Sequence, residues 1–230
     1  MLPFSRDEFA RVFVDYNLGV WPAQVVAYLL GGVAIAALVR HGRGTDRTIS
    51  TILAAMWIWT GIGYHWLYFS AINKAAIVFG AAFVLQGVLL GYAGLRGRLT
   101  FGSSSRPTAW LGWALLVYVV ILYPLIGALA GHAYPAMPMF GITPCPVTLF
   151  TFGMLLLTVV SVPRWLLIVP FLWSLIGGSA AFLLGIPQDW PLVLSGAVTV
   201  ALVVLRDRRM RDGLHPAGLS DGHHWHILDE

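Results

Sequence analysis

From Arg47 to Gln188 the chain carries no aspartate or glutamate, and over the same stretch apolar runs follow one another with only short polar breaks. A helix crossing a hydrocarbon core about 30 Å thick needs about 20 apolar residues, each rising about 1.5 Å. Seven segments satisfy or approach that length: residues 18–39, 49–72, 75–95, 110–129, 142–162, 165–186 and 190–205. The pattern predicts an all-α polytopic membrane bundle of about seven transmembrane helices. Composition agrees, since 58% of the 230 residues are hydrophobic and 10% charged, whereas a soluble domain carries roughly 25% charged residues. A soluble fold of this size could not hide so much apolar surface. The weakest segments are residues 142–162, which open on Pro144-Cys145-Pro146, and the short run at 190–205.

The basic residues test the division. Arg40, Arg43 and Arg47 lie in the first connection, Arg96, Arg98 and Arg106 in the third, Arg164 in the fifth, and Arg206, Arg208, Arg209 and Arg211 follow the last segment. These are alternate connections, whereas Arg6, Arg11 and Lys74 alone fall on the other side. The asymmetry predicts an N-terminus outside and a C-terminus in the cytoplasm. It also accounts for the net charge of +4 without a nucleic acid partner; the expected surroundings are lipid, with a membrane-protein partner or a second copy as possible neighbours. No cleavable leader is expected, because acidic Asp7, Glu8 and Asp15 precede the first apolar run.

Residues 1–17 read as a short amphipathic helix in the outer interface. Ser5 and Glu8 have capping-box spacing, and Phe9, Val12, Phe13 and Tyr16 recur at helical period. The expected role is an anchor. Residues 18–205 form the transmembrane domain and residues 206–230 a polar cytoplasmic tail. Asp221, His223, His224 and His226 in that tail read as incidental histidines, so neither metal nor cofactor is expected.

Candidate chemistry is sparse. His65 is the one imidazole clearly inside a span, and a buried imidazole demands a partner or a purpose. Tyr68 at i+3 and Gly61 at i−4 share its face on an α-helix. Gln86 is the deepest amide and reads as an interhelical tie. Cys145, the sole cysteine, excludes a disulfide framework and sits where two prolines break a helix start. Tyr64, His65, Tyr68 and Cys145 are the candidate substrate-binding residues, lining an outer cavity. An aromatic residue precedes a glycine by four at Trp57, Tyr123 and Trp173, an echo too short to count as a repeat. Gly31, Gly32, Gly87, Gly91, Gly177 and Gly178 are the expected close helix contacts.

Met-Leu-Pro-Phe-Ser at the start, Val-Trp-Pro-Ala-Gln at residues 20–24, the Gly-Tyr-His-Trp-Leu-Tyr-Phe-Ser-Ala-Ile-Asn stretch and Thr-Pro-Cys-Pro-Val-Thr-Leu-Phe-Thr-Phe-Gly resemble an uncharacterised bacterial multi-pass membrane family, a domain of unknown function, as far as about Arg206. The resemblance implies a bacterial inner-membrane protein and brings no activity with it. Two functions fit: a small transporter or channel-like protein for a solute or ion, and a non-catalytic accessory protein packed against a partner. An enzyme is disfavoured, because no nucleophile, base and orienter can be assembled.

Overall fold

The computed structural model describes residues 3–102 and 107–212, which are helical apart from their connections; among them the only β pairing is one bridge, Phe101 to Thr158. Arg106 and the tail residues Asp221, His223, His224 and His226 lie outside the described residues. Helix α1, Arg6–Gly19, starts on the expected capping box: the Glu8 N–H donates to the Ser5 hydroxyl at 3.2 Å and the Ser5 N–H to the Glu8 carboxylate at 2.8 Å. Its apolar face buries Val12, Phe13 and Tyr16.

Among the described residues, five helical stretches are long and apolar enough to cross a membrane: α2 (Ala23–Arg40), α4 (Ala76–Leu95), residues Thr108–Leu129, α8 (Trp165–Leu184) and Pro187–Arg209. Thr108–Leu129 comprises most of α5 (Pro107–Val117), π-helical turns Tyr118–Leu122 and α6 (Tyr123–Leu129), while Pro187–Arg209 holds most of α9, Pro191–Asp212. Helix α3, Thr45–Trp59, has 15 residues as α-helix and continues through seven π-helical residues, Thr60–Trp66.

Two expectations change. The run expected over residues 142–162 is a helix only from Pro144 to Leu156, α7, with 13 residues, about 20 Å at 1.5 Å each. Proline at its first turn fixes the start. Its end is set by pairing: the Gly102 N–H donates to the Leu157 carbonyl at 2.9 Å and the Val159 N–H to the Thr100 carbonyl at 2.8 Å. Residues 157–162 are thus apolar without being helical. Conversely, the run expected to stop at 205 continues in α9 to Asp212.

Helix α4 lies against α3 along glycines spaced seven apart. A Cβ on Gly80, Gly87 or Gly94 would stand 2.8 Å from the Gly61 carbonyl oxygen, 2.7 Å from that of Ala54, and 2.3 Å from the Ser50 Cβ. Phe83 and Leu90, buried between those glycines, complete a seven-residue pattern of the kind that keeps one seam facing a partner. Gly31 abuts Phe140 and Gly178 abuts Val193 as expected, but Gly32 faces open space and Gly91 only an ordinary contact at 3.6 Å. Gln86 is the expected tie: its Nε2 donates to the Leu166 carbonyl at 2.9 Å, joining α4 to α8.

The two ends of the bundle differ. At one end, which we call the basic end, the Asp46 carboxylate accepts from the Phe101 N–H at 2.8 Å, and the 99–102 segment pairs with 157–159. Arg206 donates to the Thr158 carbonyl at 2.9 Å and pairs with Asp207, whose other oxygen accepts from the Val162 N–H at 2.9 Å. At the α1 end, Tyr16 donates to the Ile142 carbonyl at 2.7 Å, and the Asn17 amide donates to Pro135 and Met137 carbonyls at 2.7 and 2.8 Å. The residue 131–141 connection is thereby ordered.

Candidate functional site

Beneath the first half of α1 is a cavity of about 260 Å³. Phe9 and Phe13 of α1, Tyr64, Phe69, Phe79 of α4 and Trp173 of α8 give it an aromatic lining. Its buried carboxyl is that of Asp189, 3% exposed. Three local features place these side chains. The π-helical turns carry Tyr64 inward, where it stacks on Phe13 at 5.5 Å between ring centres. On α8, a Cβ at Gly177 would lie 2.9 Å from the Trp173 indole nitrogen, so glycine there leaves room for the ring. The chain then leaves α8 through Gly185, φ 70°, a left-handed conformation suited to glycine. A 3₁₀ turn, Pro187–Asp189, then folds Asp189 back into the bundle.

Asp189 is held by neutral donors. The Tyr123 hydroxyl donates to its carboxyl at 2.5 Å and the Cys145 thiol interacts with it, while the neighbouring Gln188 carbonyl accepts from Tyr118 at 2.7 Å. Among the described residues the one ion pair is Arg206 with Asp207, so no Lys or Arg neutralises Asp189. A buried carboxyl without a cation is an expensive arrangement. Cys145 and Trp173 sit beside it in the same lining.

The cavity is open sideways. Ile176, Ser179, Ala180 and Leu183 recur at one face of α8 and line it, yet Ile176 is 45% and Leu183 61% exposed. A second hollow of about 380 Å³ shares Phe9, Phe13, Leu184 and Ile186 with the first and adds Arg6, His132 and Gln188. The Arg6 guanidinium donates to the Leu183 carbonyl at 3.0 Å, tying the start of α1 to the end of α8, where a cation is favoured by the helix dipole.

Of the four residues expected to line one cavity, Tyr64 and Cys145 do so. His65 is fully buried one layer behind, its ring 4.7 Å from Phe83, 5.1 Å from Trp173 and 5.2 Å from Tyr64, with neither nitrogen hydrogen-bonded. Tyr68 turns toward α1, packing on Tyr16 at 5.2 Å and against Gly19. The expected shared face of His65 and Tyr68 assumes an α-helix, whereas π-helical bonding through Thr60–Trp66 widens the turn and separates i from i+3. Gly61 does permit the close approach of a neighbouring helix, since a Cβ there would stand 2.7 Å from the Gly80 carbonyl oxygen. No group of three or more His, Cys, Asp or Glu is placed to hold a metal among the described residues.

Asp189, Trp173 and Tyr123 were not among the sequence candidates. Asp189 is the sole acidic residue between Asp46 and Asp207, which is the signal the sequence offers, but it stands at the edge of an apolar run where spacing along the chain does not say which way it turns. Trp173 and Tyr123 were members of the aromatic–glycine echo. No curated protein and no solved structure matches the chain. A family model described as a family of unknown function, DUF6064, matches residues 6–215, and with that span covered the chain belongs to this family.

Proposed function

We propose that this chain is a seven-span protein of the bacterial inner membrane that binds a small, largely apolar solute beneath α1 and carries it across. In this reading α3 with its π-helical turns and the short, enclosed α7 complete seven crossings. The basic end is cytoplasmic, consistent with eleven Lys and Arg there against three on the α1 side. The carrying observation is the contrast between ends: a cavity at the α1 end that opens sideways past α8, and a basic end where the 99–102 and 157–162 segments and Arg206 are joined by hydrogen bonds. An outward-facing carrier has that form, with irregular helices beside its site. Tyr64, Trp173, Cys145 and Asp189 are the proposed contacts, and His65 supports the wall behind them.

Cys145 supplies the test, because it is the sole cysteine and lines the cavity. In membranes, N-ethylmaleimide should modify it slowly, and a solute occupying the cavity should slow it further in a saturable manner. Proteoliposomes should then accumulate the solutes that protect. Protection without flux would reduce the reading to a binding protein; no protection by any of a broad panel of small apolar solutes would refute it.

A further inference from the structure

With Phe4 added to the six named above, seven aromatic rings line or roof the cavity, and one carboxyl without a cationic partner is buried among them. An aromatic ring is negative on its face and attracts a cation within about 6 Å of its centre, more strongly where water is excluded. Neutral apolar solutes would gain from the rings but leave Asp189 uncompensated. Anions would be repelled. A compact, strongly hydrated cation such as sodium would lose its water shell to a lining with few oxygens. What satisfies both rings and carboxyl is a cation whose charge is spread over an apolar surface.

We infer that the cavity selects an organic monocation, an ammonium on an apolar body, with its charge beside Asp189 and its body against Tyr64, Phe79 and Trp173. This rests on the binding reading above and names its ligand class. The volume of about 260 Å³ corresponds to roughly nine water-sized groups at about 30 Å³ each, which suits a single ring with a substituted ammonium. The sideways opening past Ile176 and Leu183 offers such an amphiphile a route from the adjoining lipid.

The test compares benzyltrimethylammonium with neopentylbenzene, its uncharged carbon counterpart of the same shape. Each is titrated against maleimide labelling of Cys145 in the full chain reconstituted in nanodiscs, and the half-protecting concentration is read. Comparing variant with wild type for each probe cancels membrane partitioning. Asp189→Asn keeps an acceptor for Tyr123 and removes the charge; it should weaken the cation tenfold or more and leave neopentylbenzene within twofold. Should Asp189→Asn fail to fold, Phe79→Leu keeps the apolar lining without the ring, and should weaken the cation at least threefold while sparing the neutral probe. Equal losses for both probes, or none for either, overturn the inference. Neopentylbenzene protecting while the cation does not would also overturn it, leaving the binding reading intact. Failure of both probes to protect the wild type would overturn the inference, and the binding reading falls with it only when the broad panel also fails to protect.

Discussion

The seam between α3 and α4 fixes the wall that carries Phe79 and the π-helical turns, and Gly87 is where it can be tested most directly. A methyl at Gly87 would stand 2.7 Å from the Ala54 carbonyl oxygen, whereas ordinary contact begins at 3.4 Å. Gly87→Ala therefore demands that two helix backbones part by about 0.7 Å. Overpacking of that kind costs about 1–3 kcal/mol. Gly→Ala also favours the helix by about 1 kcal/mol. Gly91→Ala in the same helix gains the same preference and meets only the Ala54 Cβ at 3.6 Å, so the difference between the two variants isolates the clash. At about 2–4 °C per kcal/mol for chains of this size, Gly87→Ala should melt about 2–12 °C below Gly91→Ala. The assay is thermal unfolding of purified protein in detergent, followed by fluorescence size-exclusion. Because the obstacle includes backbone, adding Ile58→Ala should recover little of the loss. Equal melting of the two glycine variants, or full recovery by Ile58→Ala, would show that the seam is not backbone-limited.

Arg206→Ala removes the guanidinium that Asp207 and the Thr158 and Val160 carbonyls share, a loss of about 1.5–3 kcal/mol for a hydrogen bond to a charged group, and Arg206→Lys should rescue little because the guanidinium serves several acceptors at once; thermal unfolding of both variants decides. His65→Leu removes two unpaired buried nitrogens, each worth roughly 1–3 kcal/mol, and loses ring contacts of about 0.5–1.5 kcal/mol each. The two offset, so its melting temperature should move by less than about 4 °C; a larger fall would mean that the imidazole has a partner. At the start of α1 the Ser5 backbone N–H, followed by the Ser5 side chain, holds Glu8 below its ordinary value of 4.5. A depressed carboxylate contributes stability above that value and loses it as pH falls through the lower folded value. Glu8→Gln should therefore speed hydrogen exchange in α1 at pH 7, and its difference from wild type should shrink in acid once intrinsic rates are corrected; a difference constant with pH would contradict the role of the ionised carboxylate in the cap.

Much of the architecture was legible because it follows from local, one-dimensional physics. Helix length against bilayer thickness gave the apolar segments, the Ser5 and Glu8 spacing gave α1, and the depth of Gln86 gave its role as a tie between helices. Each of these depends on residues near one another or on a single transfer free energy. What escaped depends on where the chain returns to itself. Residues 157–162 are as apolar as any span, and only their pairing with residues 99–102 ends α7 at Leu156. Gly32 and Gly87 are the same residue in similar helices, and only the neighbour decides that one faces open space while the other touches a carbonyl. The site shows the same division. The sequence determined that aromatic rings, one thiol and almost no charge would be available within the spans. Tertiary structure decided that π-helical turns would separate His65 from Tyr68, and that a turn after Gly185 would carry Asp189 from the edge of a span into the aromatic cavity, because side-chain direction is set by helix type and chain reversal rather than by spacing along the chain.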